Sequence, residues 1–313
     1  MIIDLHTRIW SRVDQLGPER AERLRTAPAE HWGQFDASPA AHERAMSCVD
    51  GAVVIGFRSD RLDAHVPNEY IAEFVAKDPR RRIGVAGIDP MAGDALDQLA
   101  QALDLGLAGV AVSPASQGFH PAHSSAMRVY EKCVENRMPL FVTFESPLTP
   151  TSELEFARPT LWDEVARSFP SLPIVLGQLG HPWTDETFLL LEKHPQVWAE
   201  ISGVASRPWQ LYNALLNASA FRVTEKLLFG SGFPFESPAK AIETLYSVNA
   251  FAQGTPLPTI PRALLRGIVE RDAMDALGLE AVVTPRVTDP GRTIESELTA
   301  GTVITTDEPG TSS

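Results

Sequence analysis

Eight short apolar runs alternate with longer amphipathic stretches along this chain. Runs rich in Val and Ile are typical of parallel strands that are buried on both faces, and the stretches between them have the apolar spacing of crossover helices. Eight such alternations favour a closed (β/α)₈ barrel of the TIM type over an open α/β sheet. The predicted strands are residues 2–6, 52–57, 83–88, 109–113, 140–144, 174–178, 197–202 and 227–230.

Two segments depart from the simple alternation. Residues 12–45 are charged and not strand-like, so they predict a helical insertion after the first strand. We expect this insertion to lie over the mouth of the barrel, where loops usually shape the site.

A last helix is predicted over 261–277, with Gly278 as its C-cap. The other predicted helices are residues 68–77, 93–105, 126–136, 161–169, 185–193 and 239–249.

The domain organisation follows from the end of this pattern. Residues 1–280 are predicted to form the barrel, and the 44% hydrophobic content of the 313 residues suffices for one large domain. Residues 281–313 are rich in Thr, Gly, Pro and acidic residues and show no sustained periodicity. They predict a loosely ordered C-terminal tail.

Charge and cysteine content exclude several classes of function. The chain has 27 Lys and Arg against 40 Asp and Glu, and its basic residues are largely spread out, so nucleic acid is not an expected partner. Its two cysteines, Cys48 and Cys133, can build neither a disulfide framework nor a CxxC metal site. The opening residues MIID lack the basic and apolar regions of a secretory leader, so we expect none, and no apolar run approaches the length of about 18 residues that would span a bilayer. We expect a soluble cytoplasmic protein that does not bind membranes.

Four segments, in this order and spacing, resemble the amidohydrolase-related family of the amidohydrolase superfamily. The sequence DLHTR at 4–8 resembles the Asp-x-His-x-His motif of the first strand, and PIVLGQLGHPW at 173–183 resembles the sixth strand. VWAEISG at 197–203 resembles the seventh strand, and FGSGFP at 229–234 resembles the Gly-Ser-Asp-x-Pro turn of the eighth. The resemblance implies a (β/α)₈ barrel related to decarboxylases, lactonases, hydratases and other hydrolases of small carboxylated molecules.

The resemblance also implies a divalent metal, often zinc, which is held by two histidines of strand one, a histidine of strand five and an aspartate of strand eight. A histidine of strand six usually acts beside it. His6 matches the first of these five positions, whereas the others hold Arg8, Thr143, Gln178 and Gly232. A catalytic zinc needs about three protein ligands, and a nearby guanidinium would repel a dication. We therefore expect no metal and no other cofactor.

Arg8 brings a positive charge to the position where the resemblance places the metal. Alternation along a strand puts His6 and Arg8 on one face, and it also puts Glu145 on the same side of strand five as Thr143. Because a buried charge without a partner costs several kcal/mol, we hypothesise that Glu145 approaches Arg8 across the cavity, with Asp4 as the other acid available. This ion pair is either part of a catalytic site or a structural filling of the vacated space.

The predicted catalytic residues are therefore His6, Arg8, Glu145 and His181. Arg8 would bind a carboxylate or polarise a carbonyl, and His6 or His181 would transfer protons near neutral pH. Each histidine has an alternative interpretation as a structural residue. Five further residues are predicted to bind substrate, three through polar groups and two through aromatic rings. They are Asp4, Thr143, Gln178, Trp183 and Phe233.

Three functions are compatible with these residues. The one we favour is a metal-independent hydrolase or lyase acting on a small ester, lactone, thioester or carboxylated substrate. The second is a catalytically inactive barrel that binds a metabolite or a partner protein. The third is a metal-dependent hydrolase with an unusual ligand set drawn from Asp4, His6, Glu145 and His181. The resemblance further implies a homodimer.

Overall fold

A sheet of eight parallel strands forms the centre of the computed structural model, which describes residues 1–26, 35–144 and 148–279. Each strand pairs with the next one along the chain. The strands are β1 (Ile3–Thr7), β2 (Gly51–Ile55), β3 (Arg82–Gly87), β4 (Gly109–Val112), β5 (Leu140–Val142), β6 (Ile174–Leu176), β7 (Val197–Glu200) and β8 (Leu227–Leu228).

Backbone hydrogen bonds between β1 and the chain from the end of β8 onward close the sheet. The N–H of Leu5 donates to the carbonyl of Phe229 at 3.0 Å, and the N–H of Gly232 donates to the carbonyl of His6 at 2.9 Å. The predicted (β/α)₈ barrel is therefore confirmed, and each of the eight predicted strands overlaps an observed one.

Helices cover the outside of the barrel, and none in the described part of the chain is long and apolar enough to cross a bilayer. The prediction of one last helix over 261–277 is wrong, because the chain leaves helical geometry at Arg271 and a new helix starts after Asp272, whose carboxylate accepts from two amides of that helix. The helices are α1 (Pro18–Thr26), α2 (Pro39–Ala45), α3 (Asn68–Ala76), α4 (Ala95–Asp104), α5 (Pro114–Gln117), α6 (Ser124–Glu135), α7 (Trp162–Ser168), α8 (Thr184–Lys193), α9 (Pro208–Ala220), α10 (Pro238–Ser247), α11 (Arg262–Glu270) and α12 (Ala273–Ala276).

Two apolar layers stabilise the barrel, one between strands and helices and one inside the barrel. Alternate strand residues such as Ile3 and Leu5 form the inner layer. Met274 of α12 and Leu277 pack against the same layer. The last described helix thus closes one end of the barrel, and the carboxyl ends of the strands form the opposite mouth.

A β-bulge in β1 decides which side chains face the interior near this mouth. Between Asp4 and Thr7, β1 advances three residues while the paired β2 advances two. Leu5 faces the interior before the extra residue, and His6 faces it afterwards, where its ring contacts Glu200. The bulge therefore places two successive side chains inside the barrel, which plain alternation does not.

The segment between β1 and β2 brings α1 to the mouth. The buried guanidinium of Arg20 lies 5.1 Å from the ring centroid of Phe57, which follows β2, and donates to Ser116 Oγ beyond β4 at 3.3 Å. Arg23 donates to the carbonyl of Leu148, beyond β5. Helix α1 therefore lies at the end of the barrel where sites of this fold occur. Residues 27–34 of the predicted insertion and the predicted tail, 281–313, lie outside the described residues.

Candidate active site

A buried histidine and a buried glutamate meet inside the mouth of the barrel. His6 Nδ1 lies 2.9 Å from Oε1 of Glu200, the last residue of β7. The two residues are 5% and 1% exposed, respectively, so their hydrogen bond is shielded from water. Nε2 of His6 makes no hydrogen bond to any residue that the structure describes. It is therefore the ring nitrogen that is available to a substrate.

Four donors surround the carboxylate of Glu200. Besides His6 Nδ1, Oε1 accepts from the N–H of Gln178 at 2.8 Å and from Ser202 Oγ at 2.8 Å, and Oε2 accepts from the N–H of Ser202 at 2.5 Å. Burial acts to raise the pKa of Glu200, but attraction to His6 and these hydrogen bonds outweigh burial and hold the pKa below its ordinary value. The side chain is therefore ionised at neutral pH.

Two glycines leave the space that this carboxylate occupies. A Cβ atom at Gly230 would lie 2.5 Å from Glu200 Oε2 and 3.1 Å from His6 Cβ. A Cβ atom at Gly177 would lie 2.8 Å from the carbonyl oxygen of Val142 and 3.2 Å from Glu200 Oε1. Any larger residue at 230 would have to displace the glutamate, so glycine is required there by close approach of the carboxylate.

Ser202 fixes the protonation state of the ring nitrogens of His6. Its hydroxyl donates to the ionised Glu200, and its oxygen lies 3.1 Å from His6 Nδ1. Glu200 Oε1 and Ser202 Oγ therefore both act as acceptors toward His6 Nδ1, so Nδ1 must carry a proton. In the neutral ring Nε2 then carries a lone pair, as a general base requires.

Asp4, which we predicted to bind substrate, bonds to the backbone beneath His6. Its Oδ1 accepts from the N–H of His6 at 3.1 Å and from the N–H of Ser231 at 2.9 Å. Its Oδ2 has no hydrogen-bond partner within the described residues. Burial raises the pKa of Asp4 to about 6, although the bonds from Ser231 and His6 act to lower it. Asp4 joins β1 to the turn after β8 and so supports the bulge.

Arg8, the predicted substitute for the metal charge, is buried near the mouth. It is 5% exposed, and its guanidinium carbon lies 5.9 Å from the ring centroid of Phe57. Arg8 follows His6 by two residues beyond the bulge, so alternation places both side chains on the interior face. Glu145, the acid expected to approach Arg8, lies outside the described residues, so that pairing stays a prediction.

The side chains of Gln178 and Thr143 hydrogen-bond to neighbouring strands. Gln178 Nε2 donates to the carbonyl of Phe144 at 2.8 Å, while its backbone N–H donates to Glu200. Thr143 Oγ1 donates to the carbonyl of Val112 at 3.3 Å. Gln178 thus holds Glu200 in place, and the predicted contacts of these two residues with substrate stay predictions.

The remaining predicted residues occupy different surroundings. His181 is partly buried in the loop after β6, and this burial and the charge of Arg207 lower its pKa, so its ring is neutral at neutral pH. Trp183 packs its ring against the guanidinium of Arg158 at 5.6 Å. Phe233 is buried in the outer apolar layer. Alternation after the bulge puts His6 and Arg8 on one face of the chain, and the catalytic and binding roles of these other residues stay predictions.

Glu200 and Ser202 were not predicted as site residues. The signal in the sequence is a carboxylate at the end of an apolar strand, in VWAEISG at 197–203. A buried charge must be paired or hydrogen-bonded, and a serine two residues further shares its strand face. These two facts would have been enough to place both side chains in the barrel mouth.

The donor set does not fit the metal centre that the family resemblance implies. Across residues 1–26, 35–144 and 148–279, no group of three or more His, Cys, Asp or Glu side chains could hold a metal ion. The oxygens of Glu200 already accept from four donors, Gly232 offers no ligand atom, and Arg8 is cationic. A catalytic zinc centre needs about three protein ligands. The described residues therefore do not supply the ligands of such a centre.

Comparison with known proteins places this chain in a family. No curated protein matches the chain. Among solved structures, it is similar to an uncharacterized TIM-barrel protein from Bordetella bronchiseptica (20% identity, TM-score 0.63, covering 89% of this chain and 98% of that one). It is also similar to a dihydroxybenzoic acid decarboxylase from Polaromonas sp. JS666 with bound manganese and an inhibitor (17% identity, TM-score 0.61, covering 89% of this chain and 97% of that one). A third similar structure is an amidohydrolase from Burkholderia multivorans with bound zinc (16% identity, TM-score 0.64, covering 89% of this chain and 99% of that one). At these identities the likeness shows a shared fold. The family model described as amidohydrolase matches residues 3–279, and the chain therefore belongs to the amidohydrolase family.

Proposed function

We propose that this chain is a hydrolase or lyase that uses His6 and Arg8, without a metal, on a small ester, lactone, thioester or carboxylated substrate. The observation that carries the proposal is the 2.9 Å hydrogen bond between His6 Nδ1 and Glu200, which leaves Nε2 available. The decarboxylase and the amidohydrolase among the similar structures support the general reaction class, a hydrolase or lyase.

In hydrolysis, His6 acts first as a general base. Nε2 takes a proton from the water that attacks the substrate carbonyl, and the charge that forms on the imidazole is stabilised by Glu200. The proton on Nε2 then passes to the leaving oxygen or sulfur as the bond to the acyl carbon breaks. His6 is neutral again at the end of the cycle. Glu200 stays ionised throughout because its four donors stabilise the charged form.

Arg8 supplies the positive charge of the proposed site. A guanidinium combines a positive charge with several planar donors, which suit a carboxylate or the oxyanion of a tetrahedral intermediate. In a decarboxylation, Arg8 would orient the carboxylated substrate, and protonated His6 would deliver its Nε2 proton to the carbon from which CO₂ departs. Loss of one positioned oxyanion donor typically lowers kcat by about 10²- to 10³-fold.

An inactive barrel that binds a metabolite is the second candidate function. It is favoured by the side chains of Asp4, Thr143 and Gln178, each of which has one atom hydrogen-bonded to the protein's own backbone. A barrel of this kind would keep its mouth for binding while His6 and Glu200 serve as a structural hydrogen bond.

A substrate panel with metal analysis tests the proposal. Chelator-treated protein is assayed on aryl esters, lactones, thioesters and aromatic carboxylic acids, beside His6→Gln, Arg8→Gln and the exposed control Glu164→Gln. We expect activity on at least one class, retained without metal and reduced at least about 10²-fold in the first two variants only. Activity that requires one equivalent of zinc or manganese overturns the metal-free mechanism. No activity, combined with stabilisation by a panel compound, favours the inactive barrel.

A further inference from the structure

We infer that the barrel carries, away from its mouth, a second site that binds a small oxyanion such as inorganic phosphate. A cavity of about 230 Å³ lies where β2 and β3 begin, beside α2, and its walls include His42, Glu43, Arg81 and Arg82. Because parallel strands all start at one end of a barrel, this position is opposite the carboxyl ends that hold His6 and Arg8.

The charge of the cavity favours an anion. Arg81 and Arg82 belong to the one run of three consecutive basic residues in a chain whose net charge is −13. Of the described residues that line the cavity, Glu43 alone is acidic, and its side chain is 52% exposed. His42 is neutral, because burial and the charges of the two arginines lower its pKa to about 3. The described residues that line the cavity therefore carry one more positive than negative charge.

Both guanidinium groups are fixed and still have donors available. Arg81 donates through Nε and Nη2 to three backbone carbonyls of residues 46–50, at 2.8 to 3.2 Å. Arg82 donates to the carbonyl of Phe74 and to Glu43 Oε1. Nη1 of Arg81 and Nε of Arg82 make no hydrogen bond to the residues that the structure describes. Donors held in place in this way lose little entropy when an oxyanion binds.

His42 connects this cavity to the strand of the candidate active site. Its Nε2–H donates to Thr7 Oγ1 at 2.9 Å, because the Thr7 hydroxyl itself donates to the carbonyl of Val53 at 2.7 Å. Thr7 is the last residue of β1 and stands between His6 and Arg8. The side chain of His42 would therefore be all that separates an anion on Arg81 and Arg82 from β1. Binding of the anion should stabilise the part of β1 around Thr7.

Calorimetric titration of the full chain with inorganic phosphate, at constant ionic strength set by sodium chloride, tests this site. We expect saturable binding of one phosphate by the wild-type protein. Glu43→Gln should tighten binding by about twofold to fivefold, because it removes an exposed carboxylate that competes for Arg82. Arg82→Gln should weaken it at least about tenfold, because it removes a charged donor. Arg8→Gln should leave the affinity unchanged, which separates this site from the proposed active site.

Three results would overturn the inference. The first is a heat of phosphate addition no larger than that of chloride. The second is an equal affinity of the wild type and Glu43→Gln for phosphate, since binding would then be unspecific. The third is loss of phosphate binding in Arg8→Gln, which would place the anion at the mouth. Arg82→Gln also loses a contact with the Phe74 ring at 4.0 Å, so its folding is checked by circular dichroism. Glu43→Gln, at an exposed position, keeps the test decisive if Arg82→Gln fails to fold.

Discussion

Glu200→Gln is expected to lower the free energy of unfolding at neutral pH by about 2–3 kcal/mol. Glutamine has one acceptor oxygen, whereas four donors point at the carboxylate. In its best orientation the amide oxygen replaces Oε1 and keeps three bonds, and the amide nitrogen faces the N–H of Ser202. A buried donor left without an acceptor costs about 1–3 kcal/mol, and the three remaining bonds lose charge assistance. The smaller desolvation of a neutral amide offsets part of this loss.

The destabilisation by Glu200→Gln should depend on pH in a defined direction. The pKa of Glu200 in the folded protein lies below its ordinary value of 4.5. Its ionised form therefore contributes stability that is fully present above about pH 4.5 and is lost as the pH falls through the folded-state pKa. Glutamine does not titrate. The difference in unfolding free energy between the wild type and the variant should be constant at neutral pH and should narrow below about pH 4.5.

Urea unfolding, followed by tryptophan fluorescence between about pH 3.5 and 8, measures this difference. Glu164→Gln is the matched control, because Glu164 is exposed on α7 and should change the unfolding free energy by less than about 0.5 kcal/mol. A loss for Glu200→Gln that is absent at neutral pH, or equal at every pH, would refute the conclusion that the four donors hold this carboxylate ionised.

Three further predictions concern the surroundings of this pair. Burial raises the pKa of Asp4 from 3.8 to about 6. The stability that protonated Asp4 contributes is therefore fully present below about pH 4, and the free energy of unfolding falls by about 3 kcal/mol as the pH rises through 6. Asp4→Asn should lack this decline when its free energy of unfolding is measured in urea. Gly230→Ala places a Cβ 2.5 Å from Glu200 Oε2 and should destabilise the protein by about 1–3 kcal/mol in thermal unfolding. If His181 transfers a proton, His181→Ala should lower kcat by about 10²-fold or more with an unchanged melting temperature, whereas an unchanged kcat would assign it a structural role.

The barrel could be predicted because buried parallel strands read as continuous apolar runs, as β2, β4, β5 and β6 of this chain do. Helix α9 was not among the predicted helices for a related reason. Residues 208–220 contain no charged side chain, so they lack the charged face by which amphipathic helices are most easily recognised. The burial of His42, which is 1% exposed, could not be predicted from the sequence either, because charged Glu43 and Arg44 follow it in α2.

The site was only partly predictable. Alternation relates His6 to Arg8, because both follow the bulge, but it cannot relate them to Leu5 before it. The bulge depends on bonds from distant parts of the chain, such as the one from Ser231 to Asp4, and a local pattern does not contain them. The four donors around Glu200 likewise come from three different strand ends and meet only in the folded barrel.

The short helix α12 that closes the base of the barrel has a consequence for synthesis. Met274, Leu277 and Leu279 complete an apolar interior to which Ile3 and Leu5, translated long before them, also belong. A nascent chain that has not yet released residues 273–279 from the ribosome leaves those side chains in contact with water. The last turns of the barrel to be translated are therefore the ones that allow its first strand to become stably folded.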